Sequence, residues 1–174
     1  VDLGTGRTVK SISASGLHTC AVLDNDAVKC WGENTHGELG LGDILLRGDQ
    51  PGEMGDALPQ VNLGTARTAK AVSCGTSHSC AILDNDRVKC WGRSESGQLG
   101  LGDTQTRGDQ AGEMGDALPY VDLGTGRTTL RLTSGSSHNC AVLDTLRAKC
   151  WGFNEYGQLG LEDTVNRGAQ AGQM

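Results

Sequence analysis

The chain has 174 residues, of which 27 are glycine and only 3% aromatic, and it carries a net charge of −6. So little aromatic mass argues against a helical bundle around one large core, and the glycine content suits short strands joined by tight turns. The acidic balance gives no footprint for nucleic acid or an anionic membrane surface, and no apolar run approaches the roughly 18 residues of a membrane span.

The first segment, Val1-Asp2-Leu3-Gly4-Thr5, returns as Val61-Asn62-Leu63-Gly64-Thr65 and again as Val121-Asp122-Leu123-Gly124-Thr125. Cys30-Trp31-Gly32 returns as Cys90-Trp91-Gly92 and Cys150-Trp151-Gly152. These returns define three tandem units of about 60 residues, 1–60, 61–120 and 121–174, the last cut short. A chain that stops within a unit and starts without an initiator Met or a signal-like segment is expected to be a mature product or a piece of a longer array.

Within a unit the signals are mostly β. Val9 to Ala14 predicts a strand, with Ala69 to Cys74 and Thr129 to Ser134 as its counterparts. Residues 17–23 predict a second strand, Asp24-Asn25-Asp26 a turn, and Ala27 to Gly32 the returning strand. A three-residue hairpin loop needs its last residue left-handed, which Asp tolerates. In the third unit that residue is Leu146, and a distorted turn is expected there.

This register sets Cys20 opposite Cys30. Facing residues of an antiparallel pair lie within disulfide reach, so Cys20–Cys30, Cys80–Cys90 and Cys140–Cys150 are the predicted bonds. A separation of ten does not suit zinc, whose cysteines usually come in closer pairs. Each bond closes a loop of about ten residues, worth about 2–3 kcal/mol on the loop-entropy model. Paired cysteines point to an oxidising compartment, hence to an extracellular or cell-surface protein. Cys74 is left over, either as a small buried thiol or as a thiol that bonds a partner chain.

The string from Ser15 to Asp43, with its counterparts Gly75 to Asp103 and Gly135 to Asp163, carries Gly-x-x-His-x-Cys-Ala, Val-Lys-Cys-Trp-Gly and Gly-Gln-Leu-Gly-Leu-Gly-Asp. The first unit has Glu38 where the others have Gln98 and Gln158, and starts the string with Ser15. This pattern resembles the repeat of the regulator-of-chromosome-condensation family. The resemblance implies an all-β fold of propeller blades, each a four-stranded antiparallel sheet, commonly seven around an axis. Three blades cannot close such a ring, since propellers need about four to eight. It further implies a structural hydrogen bond for His18, His78 and His138, one per blade. Trp31, Trp91 and Trp151 are expected at the blade interfaces, each supplying on the order of 200 Å² of apolar surface, with sugar stacking as the alternative.

The glycine-rich insertion is acidic: Asp43, Asp49, Glu53 and Asp56, then Asp103, Asp109, Glu113 and Asp116. Oxygen-rich loops of this kind bind calcium, but the spacing matches no calcium-loop pattern, and a local Asp43–Arg47 pair is the alternative. No other cofactor is implied. The tripeptides Arg47-Gly48-Asp49 and Arg107-Gly108-Asp109 spell an integrin-type motif that the third unit breaks at Ala169. No nucleophile–base pair or phosphate loop is present, because Ser77-His78 and Ser137-His138 are strand neighbours facing opposite ways. The sequence therefore reads as a non-enzymatic extracellular structural or adhesive protein whose partners are further blades or other copies of itself, forming a filament or array. The alternative is a closed propeller that presents loops to a partner protein.

Overall fold

A computed structural model describes residues 1–174 and contains nine strands. They are β1 (Val9–Ser15), β2 (His18–Leu23), β3 (Val28–Gly32), β4 (Ala69–Cys74), β5 (His78–Leu83), β6 (Val88–Gly92), β7 (Thr129–Ser134), β8 (His138–Leu143) and β9 (Ala148–Gly152). They form three antiparallel sheets, β1-β2-β3, β4-β5-β6 and β7-β8-β9. In the first, Cys20 faces Cys30, Ala21 faces Lys29 and Val22 faces Val28.

Each sheet has three strands, not the four that the resemblance implied. The expected fourth strand shrinks to one bridge, Gly32 with Arg47, repeated as Gly92 with Arg107 and Gly152 with Arg167. The cause lies in the glycines on either side. Gly32 leaves β3 at φ +105° and Gly48 turns away at φ +93°, so the chain runs alongside β3 for a single pair of hydrogen bonds, Gly32 N–H to the Arg47 carbonyl at 2.8 Å and the reverse at 3.2 Å.

The sheets stack face to face, and the period-2 alternation of the middle strand assigns its side chains. Cys20, Val22, Val28, Cys30 and Leu39 of the first repeat pack with Ala69, Ala81, Leu83 and Trp91 of the second. Cys80, Ile82, Val88, Cys90 and Leu99 then meet Ala141, Leu143 and Trp151 of the third. Every residue of β5 is buried, because it has a sheet on each side. The chain also laces repeats together: Val61 N–H donates to the Val28 carbonyl at 2.9 Å, and Ala69 N–H to the Asp26 carbonyl at 3.0 Å.

The turn after β8 is not distorted, contrary to the sequence expectation. Leu146 sits at φ +61°, beside +63° for Asp26 and +60° for Asp86, and its N–H reaches the Leu143 carbonyl at 2.8 Å as in the other turns. The hairpin ladder imposes the left-handed conformation on whatever residue stands there. For leucine that conformation is strained, and its side chain is 80% exposed, so no packing compensates. Replacing Leu146 with Asn should therefore stabilise the chain by about 1 kcal/mol. Urea unfolding of the variant beside the parent measures this, and an unchanged midpoint would contradict the strain.

Candidate functional site

Two places gather polar chemistry: the interfaces between sheets, and the loop that follows β3. At the first interface the Glu38 carbonyl accepts two hydrogen bonds from the next repeat, from Trp91 Nε1 at 3.0 Å and from Ser79 Oγ at 2.9 Å. At the second, the Gln98 carbonyl accepts from Trp151 Nε1 at 3.0 Å and from Asn139 Nδ2 at 2.7 Å. Trp91 and Trp151 are wholly buried; Trp31, with no preceding sheet against it, is half-buried.

The histidines complete these networks. Ser79 spends its proton on Glu38, so His18 Nε2–H donates to Ser79 Oγ at 2.8 Å. His78 Nε2 likewise lies 2.9 Å from Asn139 Oδ1, an acceptor. Both rings are then neutral with a bare Nδ1, and neither Nδ1 has a partner. Protonation would create a buried N–H with nothing to receive it. Desolvation, followed by the charge of neighbouring His78, lowers His18 to about 4; desolvation lowers His78 to about 4 as well.

The donor atoms of His18, Cys20 and Cys74 lie within 4.8 Å of one another. Cys20 is bonded to Cys30, however, as Cys80 is to Cys90 and Cys140 to Cys150. That leaves two free ligands, fewer than a zinc site uses. Cys74 is the free thiol, buried between Ser13 and Ser79, and burial raises its pKa.

The acidic residues do not converge on a point: most bond within their own loop, and Asp56 and Asp116 reach back to the start of their repeats. Asp56 accepts from Thr5 N–H at 2.9 Å and Thr5 Oγ1 at 2.6 Å, and Asp116 from the same atoms of Thr65. These bonds hold both carboxylates below their usual range, the threonine hydroxyl first and its N–H second. Glu53 accepts from Gly48 and Gln50 N–H at 2.8 and 3.1 Å, as Glu113 does from Gly108 and Gln110. Asp49 accepts from Gln50 Nε2, and one oxygen of Asp109 is buried without a partner. Arg47 of the Arg-Gly-Asp tripeptide is spent on Asp43 at 2.7 Å, and Arg107 on Asp103 at 2.9 Å.

That Arg47–Asp43 pair belongs to the loop after β3. Asn34 Nδ2 donates to the Asp43 and Leu45 carbonyls at 2.8 and 3.1 Å, and Asn34 Oδ1 accepts from Leu39 N–H at 2.9 Å. Asp43 Oδ1 accepts from Leu45 N–H at 2.9 Å, while Arg47 Nη1 donates to the Leu45 and Leu46 carbonyls at 2.9 and 3.0 Å. On this pinned backbone, Ile44, Leu45 and Leu46 are 55%, 61% and 50% exposed. The second repeat has Thr104-Gln105-Thr106 there and the third Thr164-Val165-Asn166. Sequence reasoning passed over this tripeptide, although a run of three aliphatic residues, where the second repeat has none and the third only Val165, was the available signal. It also missed Lys29 and Lys89, buried and donating to the Leu3 and Gly55 carbonyls and to the Leu63 and Gly115 carbonyls.

Family models for the regulator of chromosome condensation (RCC1) repeat match residues 9–38, 69–98 and 131–158, and residues 26–82. The chain belongs to the RCC1 repeat family. It is 27% identical over 209 aligned positions to the ultraviolet-B receptor UVR8 of Arabidopsis thaliana, covering 92% of this chain and 45% of that protein. It is 29% identical to the mouse X-linked retinitis pigmentosa GTPase regulator over 89% of this chain and 14% of that protein. Among solved structures, yeast RCC1 (Prp20) bound to Kap60 superposes with a TM-score of 0.70 at 20% identity, covering 92% of this chain and 36% of that one. Human WBSCR16 gives 0.69 at 16% identity, over 94% and 40%. The chain thus spans less than half the length of these relatives, and the structural likeness establishes blades of the RCC1 propeller type.

The interface chemistry has two measurable consequences. A histidine whose folded pKa lies below its unfolded value of about 6.5 makes the unfolded chain the better proton acceptor between those values. Stability should be complete above about pH 6.5 and fall as pH drops towards 4, by on the order of 1 kcal/mol per pH unit for each of His18 and His78. Urea midpoints at pH 7, 5.5 and 4.5 test this; a flat profile over that range would contradict it. Gly40 has φ +68°, and a Cβ there would lie 2.7 Å from Trp91 Nε1, whereas Gly52, at φ +85°, would meet nothing within 4 Å. Gly40→Ala should cost about 2–4 kcal/mol and Gly52→Ala only about 1.

Proposed function

We propose that this chain is a protein-binding module of RCC1-type blades, in which the stack is scaffold and the loop after β3 of the first repeat is the contact surface. The observation that carries it is the exposure of Ile44, Leu45 and Leu46 on a backbone held by Asn34, Asp43 and Arg47. Thr104 and Gln105 occupy the same places in the second repeat, which has a sheet on both sides, and they too are exposed. Positions 44 and 45 therefore stay clear of blade packing even where neighbours are present. Three aliphatic side chains on a rigid, solvent-facing turn suit apolar anchors of a protein partner. The yeast relative captured with Kap60 is consistent with this reading. The three disulfides support an oxidising, extracellular setting. The reading includes no catalytic step.

A second reading, blade-to-blade assembly with further repeats or other copies, draws on the two ends of the stack. Trp31 is half-buried at one end, and Cys140, Val142, Cys150 and the exposed Ala148 form the opposite face at the other. Light scattering that gave a concentration-independent monomer mass for this chain would remove self-assembly.

The test of the binding reading exchanges Ile44, Leu45 and Leu46 for the Thr, Gln and Thr of the second repeat. Affinity capture from the protein's native extracellular medium would be compared with the parent chain as bait. The variant should keep its unfolding midpoint and lose its captured partner by at least about tenfold. Equal capture by both baits would show that the tripeptide is not the contact surface.

A further inference from the structure

Cys74 stands outside the three hairpin disulfides, buried where the first and second sheets meet. Its backbone N–H donates to Ser13 Oγ at 3.0 Å and its thiol to the Ser13 carbonyl at 3.3 Å. Ser13 in turn faces Cys20 across the β1–β2 ladder. Cys74 is thereby strapped to the strand beside Cys20, and the two sulfur atoms lie within 4.8 Å. Ser79, which follows in the same hairpin, lies 3.6 Å from Cys20 Sγ, so the neighbourhood of that sulfur is shared with the second repeat. At the second interface Ser134 occupies the matching place, donating its N–H to Ser73 Oγ at 2.8 Å, so a hydroxyl stands where the first interface has a thiol.

We infer that Cys74 is an internal exchange partner for the Cys20–Cys30 disulfide, able to move that cross-link from within the first hairpin to between the first and second repeats. The Cys74 thiolate attacks Cys20 Sγ, a Cys20–Cys74 bond forms, and the Cys20–Cys30 bond breaks. Cys30 leaves as thiolate and takes up the proton that Cys74 gave away. One disulfide and one thiol enter, and one disulfide and one thiol result, so no oxidant or reductant is needed. The new bond ties two sheets that otherwise hold each other by packing and hydrogen bonds, and it closes a much longer loop than the old one. Burial keeps the Cys74 thiol protonated, so exchange waits on opening of the interface. The cross-link would record whether the two blades have parted.

Disulfide mapping tests this on the whole chain. The protein is incubated without reductant at about pH 8.5, quenched in acid, alkylated in urea and digested with trypsin, which cuts after Lys29 between Cys20 and Cys30. The expected product is the Cys20 peptide joined to the 71–87 peptide, which also carries Cys80 and its bonded Cys90 peptide, with fragmentation placing the new bond on Cys74 and Cys30 alkylated; it increases with time and is absent from Cys74→Ser. That variant copies Ser134 and should keep the fold. A second variant, Cys30→Ser, leaves Cys20 without its partner and under oxidised glutathione should close a monomeric Cys20–Cys74 bond. The inference is overturned if the parent shows only Cys20–Cys30 with alkylated Cys74 at every time. It is equally overturned if the Cys30→Ser chain keeps both thiols open, or bonds them only between molecules.

Discussion

The carbonyl group of residue 38, and its counterpart at residue 98, holds the stack together. Each is a backbone acceptor in one repeat that receives an indole N–H and a side-chain donor from the next, within 3.0 Å. A carbonyl has two lone pairs, and both are used here in a wholly buried place where an unmet one would be costly. The geometry fixes much else. The indole must approach the Gly-Glu-Leu-Gly turn closely, so the turn can carry no Cβ at Gly40. The residue that caps the other lone pair, Ser79 or Asn139, must also receive the histidine of the preceding repeat. One histidine, one tryptophan and one glycine turn per repeat are thus parts of a single joint.

With such joints, a sheet of three strands and little aromatic mass can be buried on both faces. The middle strand supplies Cys20 and Val22 to one neighbour and Ala21 and Leu23 to the other side. The Cys20–Cys30 and Cys80–Cys90 disulfides lie in the interfaces, among the apolar residues of the next repeat, where they fill space as well as restrain the hairpin. The same joints leave the two end faces unlike each other, one presenting a tryptophan and the other a disulfide. Inside the stack, the equivalents of these two faces meet a neighbouring repeat.

The hairpins were legible in the sequence because their signals are local. Alternating apolar residues, a turn of Asp and Asn, and cysteines at a fixed separation set the register that places Cys20 opposite Cys30. The fourth strand was not legible, because its loss depends on where Gly32 and Gly48 redirect the chain rather than on the β-character of the residues between them. Leu146 misled in the opposite sense: its own preference is real, but the ladder on either side outweighs it. Composition left the acidic loops open between a calcium site and local pairing, because it cannot show that Asp56 and Glu53 already bind N–H groups of their own chain. Joints such as Glu38 to Trp91 join residues far apart in sequence, so no local pattern names both partners.

The repeats also differ in a way that separates scaffold from surface. The histidine and tryptophan of the joint are the same in every unit: His18, His78 and His138, and Trp31, Trp91 and Trp151. Positions 44–46 change from aliphatic to polar between the first repeat and the second without altering the local path of the chain, since Asp43 and Arg47 clasp each other in the first as Asp103 and Arg107 do in the second. A turn that holds its shape whatever side chains it displays is free to acquire a partner without disturbing the fold. Cys74 is a substitution of the other kind, set within the joint itself, and a change there alters how two blades are fastened rather than what they meet outside.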